Sequence, residues 1–118
     1  MGWMRSEACV KRFGQTLGVR PECVEEYRRY HESIWPEIAE AIEHAGIRNY
    51  SIFLLGERLF AYFEYVGPEE EYAARMEVLA QAPRMREWWD IMEPMQVPDP
   101  NRAPGSWWSD MQEVFRQD

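Results

Sequence analysis

Residues 59–66 (LFAYFEYV) form the richest β-favouring run in the chain. Aromatic and β-branched residues are enriched in strands because they pack well on a pleated surface. The similar run 49–55 (NYSIFLL) comes before it, and the turn-forming residues 56–58 (GER) lie between the two. The sequence therefore predicts a β-hairpin near the middle of the chain.

The segment before this hairpin predicts one strand and one interrupted helix. Residues 9–17 alternate loosely and favour a first strand. A three-four spacing of apolar residues then predicts a helix over residues 21–45. Pro36 lies inside that pattern, and proline breaks or kinks a helix interior, so we expect an interruption near residues 33–35.

The segment after the hairpin predicts two more helices and a last strand. Helical spacing returns over residues 69–81 and 84–92, and a strand is expected around residues 111–116. The complete order is β-α-β-β-α-β. We therefore predict an α+β fold of the ferredoxin-like type, an antiparallel sheet with its helices on one face.

The other face of such a sheet is bare in a monomer. Tyr62 or Phe63, and Ile52 or Phe53, must point to that face whichever register the strands adopt. Exposed aromatic patches are typical of interfaces. We therefore expect a homodimer in which a second copy covers this face.

Composition limits the size and the partners of the protein. The 118 residues suffice for one core, and we expect a flexible leader over residues 1–8 and a single domain over residues 9–118. The net charge of −8 argues against nucleic acid or an anionic membrane as partner. No apolar run approaches the roughly 20 residues of a membrane span. Cys9 and Cys23 lack the spacing of a metal site, so we interpret them as free thiols of a cytoplasmic protein, with a disulfide between them as the lesser alternative.

His31 is the most chemically suggestive residue of the chain. Tyr27, His31 and Trp35 are four residues apart, which places them on one face of a continuous helix. An imidazole with a pKa near 6.5 suits reversible proton transfer at neutral pH. The alternative is a structural histidine, partly buried and hydrogen-bonded to a neighbour. The second histidine, His44, lies at the predicted helix C-terminus, where a structural role is expected.

Four short motifs occur in a fixed order along the chain. They are Tyr27-x-x-x-His31, Asn49-Tyr50-x-Ile52, Trp88-Trp89 and Glu113-Val114-Phe115. Together they resemble the L-rhamnose mutarotase family over about residues 10–116. Each motif alone is weak, but their combined order and spacing are fairly specific.

This resemblance implies a dimeric α+β barrel that interconverts the α and β anomers of L-rhamnose without a cofactor or a metal. It implies that His31 is the catalytic acid and base. It also implies that Tyr27, Tyr50, Trp88 and Trp89 bind the substrate, a monosaccharide.

Two departures from the family pattern leave the sugar open. Glu87 precedes the tryptophans where many members have a basic residue, and residues 104–108 (PGSWW) are more elaborate than in the enterobacterial type. L-fucose or another L-sugar is therefore an alternative substrate. Because fold does not determine function, a cofactor-free monooxygenase, a small-ligand-binding protein and a structural partner-binding module also remain open.

Overall fold

The structure is a computed structural model and describes residues 10–117. The predicted leader, residues 1–8, lies outside this range. In chain order the elements are β1 (Val10–Val19), α1 (Val24–Glu32), α2 (Pro36–His44), β2 (Ile47–Leu55), β3 (Arg58–Val66), α3 (Tyr72–Gln81), α4 (Pro83–Met92), β4 (Gln96–Val97) and β5 (Ser109–Met111). Short 3-10 turns lead into α1 and α3 and follow α4.

The five strands form one antiparallel sheet in the order β2-β3-β1-β4, with β5 also paired to β1. The predicted hairpin is its β2–β3 pair. This order confirms the ferredoxin-like α+β prediction.

The fourth position of the sheet is occupied by two short strands instead of one. β4 pairs with β1 through Gly18↔Val97, and β5 pairs with the same strand through Gly14↔Met111. The prediction of a single last strand around residues 111–116 was therefore wrong in its position. The two-residue strand β4 was not predicted because prolines flank it on both sides, at Pro94 and Pro98.

The register of β1 against β3 separates the two faces of the sheet. Leu17 lies opposite Leu59 and Phe13 opposite Phe63, and these residues face the helices. The main core between sheet and helices contains the buried residues Leu17, Val19, Tyr27, Ile38, Leu59, Met85, Trp88, Met92 and Met95.

The outer face of the sheet bears apolar side chains. The register turns Tyr62 and Phe53 away from the helices, which decides between the alternatives left open by the sequence. Phe53 is 66% exposed and Leu55 is 74% exposed. The described chain thus presents an apolar surface opposite its helical layer.

The helix interruption at Pro36 occurs where it was predicted. α1 ends at Glu32 and α2 begins at Pro36, because Trp35 takes an extended conformation (φ −64°, ψ 135°) that a residue before proline favours. Trp35 therefore does not continue the helix face of Tyr27 and His31, and that expectation was wrong. Within residues 10–117, no helix is long and apolar enough to cross a membrane.

Candidate active site

A cleft opens between α1 and the helix-facing side of the sheet. Its volume is about 420 Å³ when the solvent space at its open mouth is included. Most of its wall is aliphatic, and its polar residues are Tyr27, Arg28 and His31. The lining residues are Val19, Val24, Tyr27, Arg28, His31, Ile52, Leu54 and Leu59.

Helix α1 brings Tyr27 and His31 together because they are one turn apart. Their rings meet edge to face with centroids 4.4 Å apart. The helix begins after the 3-10 turn at Pro21–Cys23, and Glu25 and Glu26 lie in its first turn, where acidic residues are favourable. The predicted pair of Tyr27 and His31 is therefore assembled by local helix geometry alone.

The hydrogen bond of His31 determines which ring nitrogen is available. Nδ1 lies 2.9 Å from the backbone carbonyl oxygen of Tyr27. A carbonyl oxygen can only accept, so Nδ1 carries the proton and donates it. Nε2 of the neutral ring is therefore left with a free lone pair, as a general base requires.

The surroundings of His31 favour its neutral form. Burial lowers its pKa from the usual 6.5, although the hydrogen bond to the carbonyl of Tyr27 acts in the opposite direction. At pH 7 the side chain is therefore largely an uncharged base.

Trp88 lies behind the imidazole instead of lining the cleft. It is only 5% exposed, and its indole contacts His31, Trp35 and Tyr30 edge to face at centroid distances of 5.4, 5.1 and 5.9 Å. The adjacent Trp89 is half-buried and packs against the same core, but it is not among the cleft-lining residues either.

The hydroxyl of Tyr27 has a buried partner that the sequence interpretation missed. Gln96, on β4, donates from Nε2 to Tyr27 Oη at 2.9 Å and accepts at Oε1 from Trp107 Nε1 at 2.8 Å. Gln96 is 6% exposed. Burial raises the pKa of Tyr27 to about 12, with the Gln96 hydrogen bond lowering it and nearby Tyr50 raising it.

Tyr50 reaches the helix side of the sheet through a β-bulge. The β2–β3 register shifts between Arg48 and Ser51, and Asn49 adopts a left-handed conformation (φ 53°) there. The extra residue turns the ring of Tyr50 onto Phe63, with centroids 5.3 Å apart. Burial raises the pKa of its phenol, although the residue as a whole is 41% exposed.

Of the five predicted site residues, the structure therefore places Tyr27 and His31 in the cleft wall and Trp88 directly behind His31. Tyr50 lies close enough to Tyr27 to influence the pKa of its phenol. Trp89 is not among the residues that line the cleft. Across residues 10–117, no group of three or more His, Cys, Asp or Glu side chains is arranged to hold a metal ion.

These features define an α+β protein of ferredoxin-like topology. The cleft between its first helix and its sheet is lined in part by two titratable residues, Tyr27 and His31. The sequence profile of the L-rhamnose mutarotase family matches residues 12–117. An L-rhamnose mutarotase of Lactiplantibacillus plantarum is 36% identical over 91% of this chain and 98% of that protein. The chain therefore belongs to the L-rhamnose mutarotase family.

Further relatives agree with this membership. An L-rhamnose mutarotase of Pectobacterium carotovorum subsp. carotovorum is 39% identical over 76% of this chain and 84% of that protein. The crystal structure of an L-rhamnose mutarotase from Formosa agariphila matches with a TM-score of 0.68 at 24% identity, over 92% of this chain and 99% of that chain. At that identity the structural likeness supports the fold.

Proposed function

We propose that this protein is a mutarotase that interconverts the α and β anomers of a 6-deoxy-L-hexose, L-rhamnose, in carbohydrate metabolism. Family membership supports the reaction class. The observation that carries the proposal for this chain is the neutral His31, whose Nδ1 is engaged by a carbonyl and whose Nε2 is free beside a cleft.

The reaction needs only a base and a proton donor. His31 Nε2 accepts the proton of the anomeric hydroxyl, whose O–H electrons form the new C=O bond as the bond between the anomeric carbon and the ring oxygen breaks. The ring oxygen receives a proton from a hydroxyl donor, Tyr27, Tyr50 or a water molecule. The aldehyde carbon then turns, and the reverse transfers close the ring on its other face. Proton transfer of this kind contributes roughly 10²–10⁴-fold.

The wall of the cleft suits a deoxysugar. Val24, Ile52, Leu54 and Leu59 present aliphatic surface that can cover the sugar's C–H groups and its methyl group. Of the tandem tryptophans, Trp88 supports the imidazole from behind. Trp89 is partly exposed and does not line the cleft, so its role as a sugar contact rests on the family resemblance.

We also propose a homodimer and a cytoplasmic location. The exposed Phe53 and Leu55 on the outer sheet face support burial against a second copy. The free thiol of Cys23 is in keeping with a reducing compartment.

The test is anomer exchange of L-rhamnose followed by saturation-transfer NMR, with the protein-free rate subtracted. His31→Asn should bring exchange close to the spontaneous rate while circular dichroism stays unchanged. His44→Asn is the matched control, because His44 is exposed at the end of α2 and should leave the rate unaltered. L-fucose, L-lyxose and L-mannose complete the panel. If wild-type protein accelerates none of these sugars, the mutarotase proposal is wrong and a binding or oxygenase role gains support.

A further inference from the structure

We propose that Gln96 is a positioning residue that fixes the hydrogen-bond direction of Tyr27, so that the hydroxyl proton of Tyr27 points into the cleft. The inference rests on the proposed function, because it assigns Tyr27 the role of a donor to a sugar oxygen. Gln96 and Tyr27 are 69 positions apart in the chain, so only the fold brings them together.

The direction follows from the chemistry of three groups in a row. The indole Nε1–H of Trp107 can only donate, so the atom of Gln96 that faces it at 2.8 Å must be the carbonyl oxygen. The amide NH₂ of Gln96 then faces Tyr27 and donates to its hydroxyl oxygen at 2.9 Å. Trp107 thereby excludes the flipped amide orientation, which would place two donors against each other.

As a consequence, the hydroxyl group of Tyr27 accepts a hydrogen bond from Gln96 and is oriented to donate its proton to another group. Its oxygen is already an acceptor for Gln96, so its own proton is free to be donated elsewhere. Tyr27 lines the cleft, and its phenol stays protonated throughout the physiological pH range. A sugar oxygen in the cleft therefore meets a preoriented donor, an arrangement that stabilises developing negative charge on that oxygen.

Because Gln96 is buried, its hydrogen bonds determine how the hydroxyl group of Tyr27 is oriented. Gln96 is 6% exposed, and few alternative partners such as bulk water are available to it. Trp107 belongs to the segment between β4 and β5, so the polarity of Tyr27 depends on a side chain supplied by that loop.

The discriminating variant is Gln96→Glu, because the carboxyl group can donate a hydrogen bond to Tyr27 when it is protonated but can only accept one when it is ionised. When protonated, it can accept from Trp107 and donate to Tyr27, as the amide does. When ionised, it can only accept, so the proton of Tyr27 turns toward the carboxylate and away from the cleft. Burial raises the pKa of such a carboxyl toward neutrality.

The readout is the ratio of variant to wild-type kcat for L-rhamnose anomer exchange between pH 5 and 8. Gln96 contacts Tyr27, and Tyr50 and His31 lie beside Tyr27. Two guanidinium groups are also nearby: Arg102 lies over the ring of Trp107, and Arg20 donates to the carbonyl of Pro94. Both tyrosines remain neutral in this range, and His31 titrates in both proteins. We expect the ratio to approach one at low pH and to fall by about tenfold at high pH, the effect of one misdirected hydrogen bond.

Three further variants complete the experiment. Gln96→Met keeps the volume but removes the polarity, so its kcat should be low at every pH, with a smaller change in KM. Trp107→Phe frees the amide to flip and should give an intermediate loss. Trp108→Phe is the control, since the described residues provide no hydrogen-bond partner for its indole, and its kcat should equal that of wild type. Circular dichroism at each pH confirms that the compared proteins are folded.

The outcomes separate this inference from the proposed function. A pH-independent ratio for Gln96→Glu, or full activity in Gln96→Met, would overturn the role of Gln96 while the wild-type rate still supports a mutarotase. Wild-type protein without anomer exchange would overturn both. The hydrogen-bond chain itself can be checked without turnover, because the indole N–H signal of Trp107 should lose its protection from solvent exchange in Gln96→Met.

Discussion

The Nδ1 atom of His31 lies 2.9 Å from the backbone carbonyl oxygen of Tyr27, one helical turn earlier. This contact fixes the tautomer of the imidazole without any second side chain. It leaves Nε2 as the unprotonated nitrogen, which the proposed role of His31 as a base requires.

The activity of the wild-type protein should persist into mildly acidic solution. Burial lowers the pKa of His31 below 6.5, so the neutral base still predominates at pH values where an exposed histidine is already half protonated. The acidic limb of kcat/KM for L-rhamnose exchange is therefore expected below pH 6.5. A limb centred above pH 6.5 would contradict this assignment of the base.

The titration of His31 should also appear in the pH dependence of the free energy of unfolding. The folded pKa of His31 is lower than the unfolded one, so the unfolded chain binds more protons between the two values. The stability advantage of the neutral histidine is thus present above about pH 6.5 and is lost as pH falls toward the folded pKa. Urea unfolding should show wild type losing stability relative to His31→Asn over this range. A constant difference between the two proteins would contradict the prediction.

The tandem tryptophans should respond differently to the same change. Trp88→Phe should lower the free energy of unfolding by about 1–3 kcal/mol, because it leaves a cavity against His31, Trp35 and Tyr30. Trp89→Phe should change stability by less than about 1 kcal/mol and should mainly raise KM. Thermal melting and exchange kinetics on both variants test this, and equal melting temperatures would argue against the assigned division of roles.

The bulge at Asn49 should tolerate glycine but not valine. Asn49 has a φ of 53°, a left-handed conformation that costs a β-branched residue roughly 1–2 kcal/mol or more. Asn49→Val should therefore lower stability and move Tyr50, raising KM, whereas Asn49→Gly should retain the bulge. Urea unfolding and kinetics on both variants provide the comparison. The prediction fails if valine and glycine behave alike.

The proposed dimer should depend on the outer sheet face. Phe53→Glu places a charge at a side chain that is 66% exposed in the single chain, and it should halve the mass found by size exclusion. Val78→Glu is the control, since Val78 is 72% exposed on helix α3 and should leave the mass unchanged. A wild-type protein that runs at its monomer mass of 14.1 kDa would refute the dimer.

The parts of the fold that the sequence predicted depend on local interactions. The β2–β3 hairpin combines strand propensity with a tight turn, and the break before Pro36 follows because a residue that precedes proline disfavours the helical conformation. The pairing of Tyr27 with His31 is likewise set by a four-residue helical spacing.

The features that escaped prediction depend on contacts between distant segments. Gln96 belongs to a two-residue strand and meets Tyr27 only once β4 pairs with β1. Trp88 and Trp89 are adjacent, and the orientation of helix α4 alone decides which of them packs on His31. The spacing of apolar residues within one segment carries no information about contacts between distant segments.

The fourth position of the sheet is shared by β4 and β5, so the loop between them, residues 98–108, can be replaced as a unit. Its two ends are anchored on one strand, β1, where Gly18 and Gly14 leave room for Val97 and Met111. We therefore expect residues 98–108 to tolerate changes in length or composition while the sheet keeps its register, provided that Asp99 retains its ion pair with Arg58 of β3. Because Trp107 belongs to this loop and donates a hydrogen bond to Gln96, replacing the loop would change the hydrogen bonding of Tyr27 without altering the sheet.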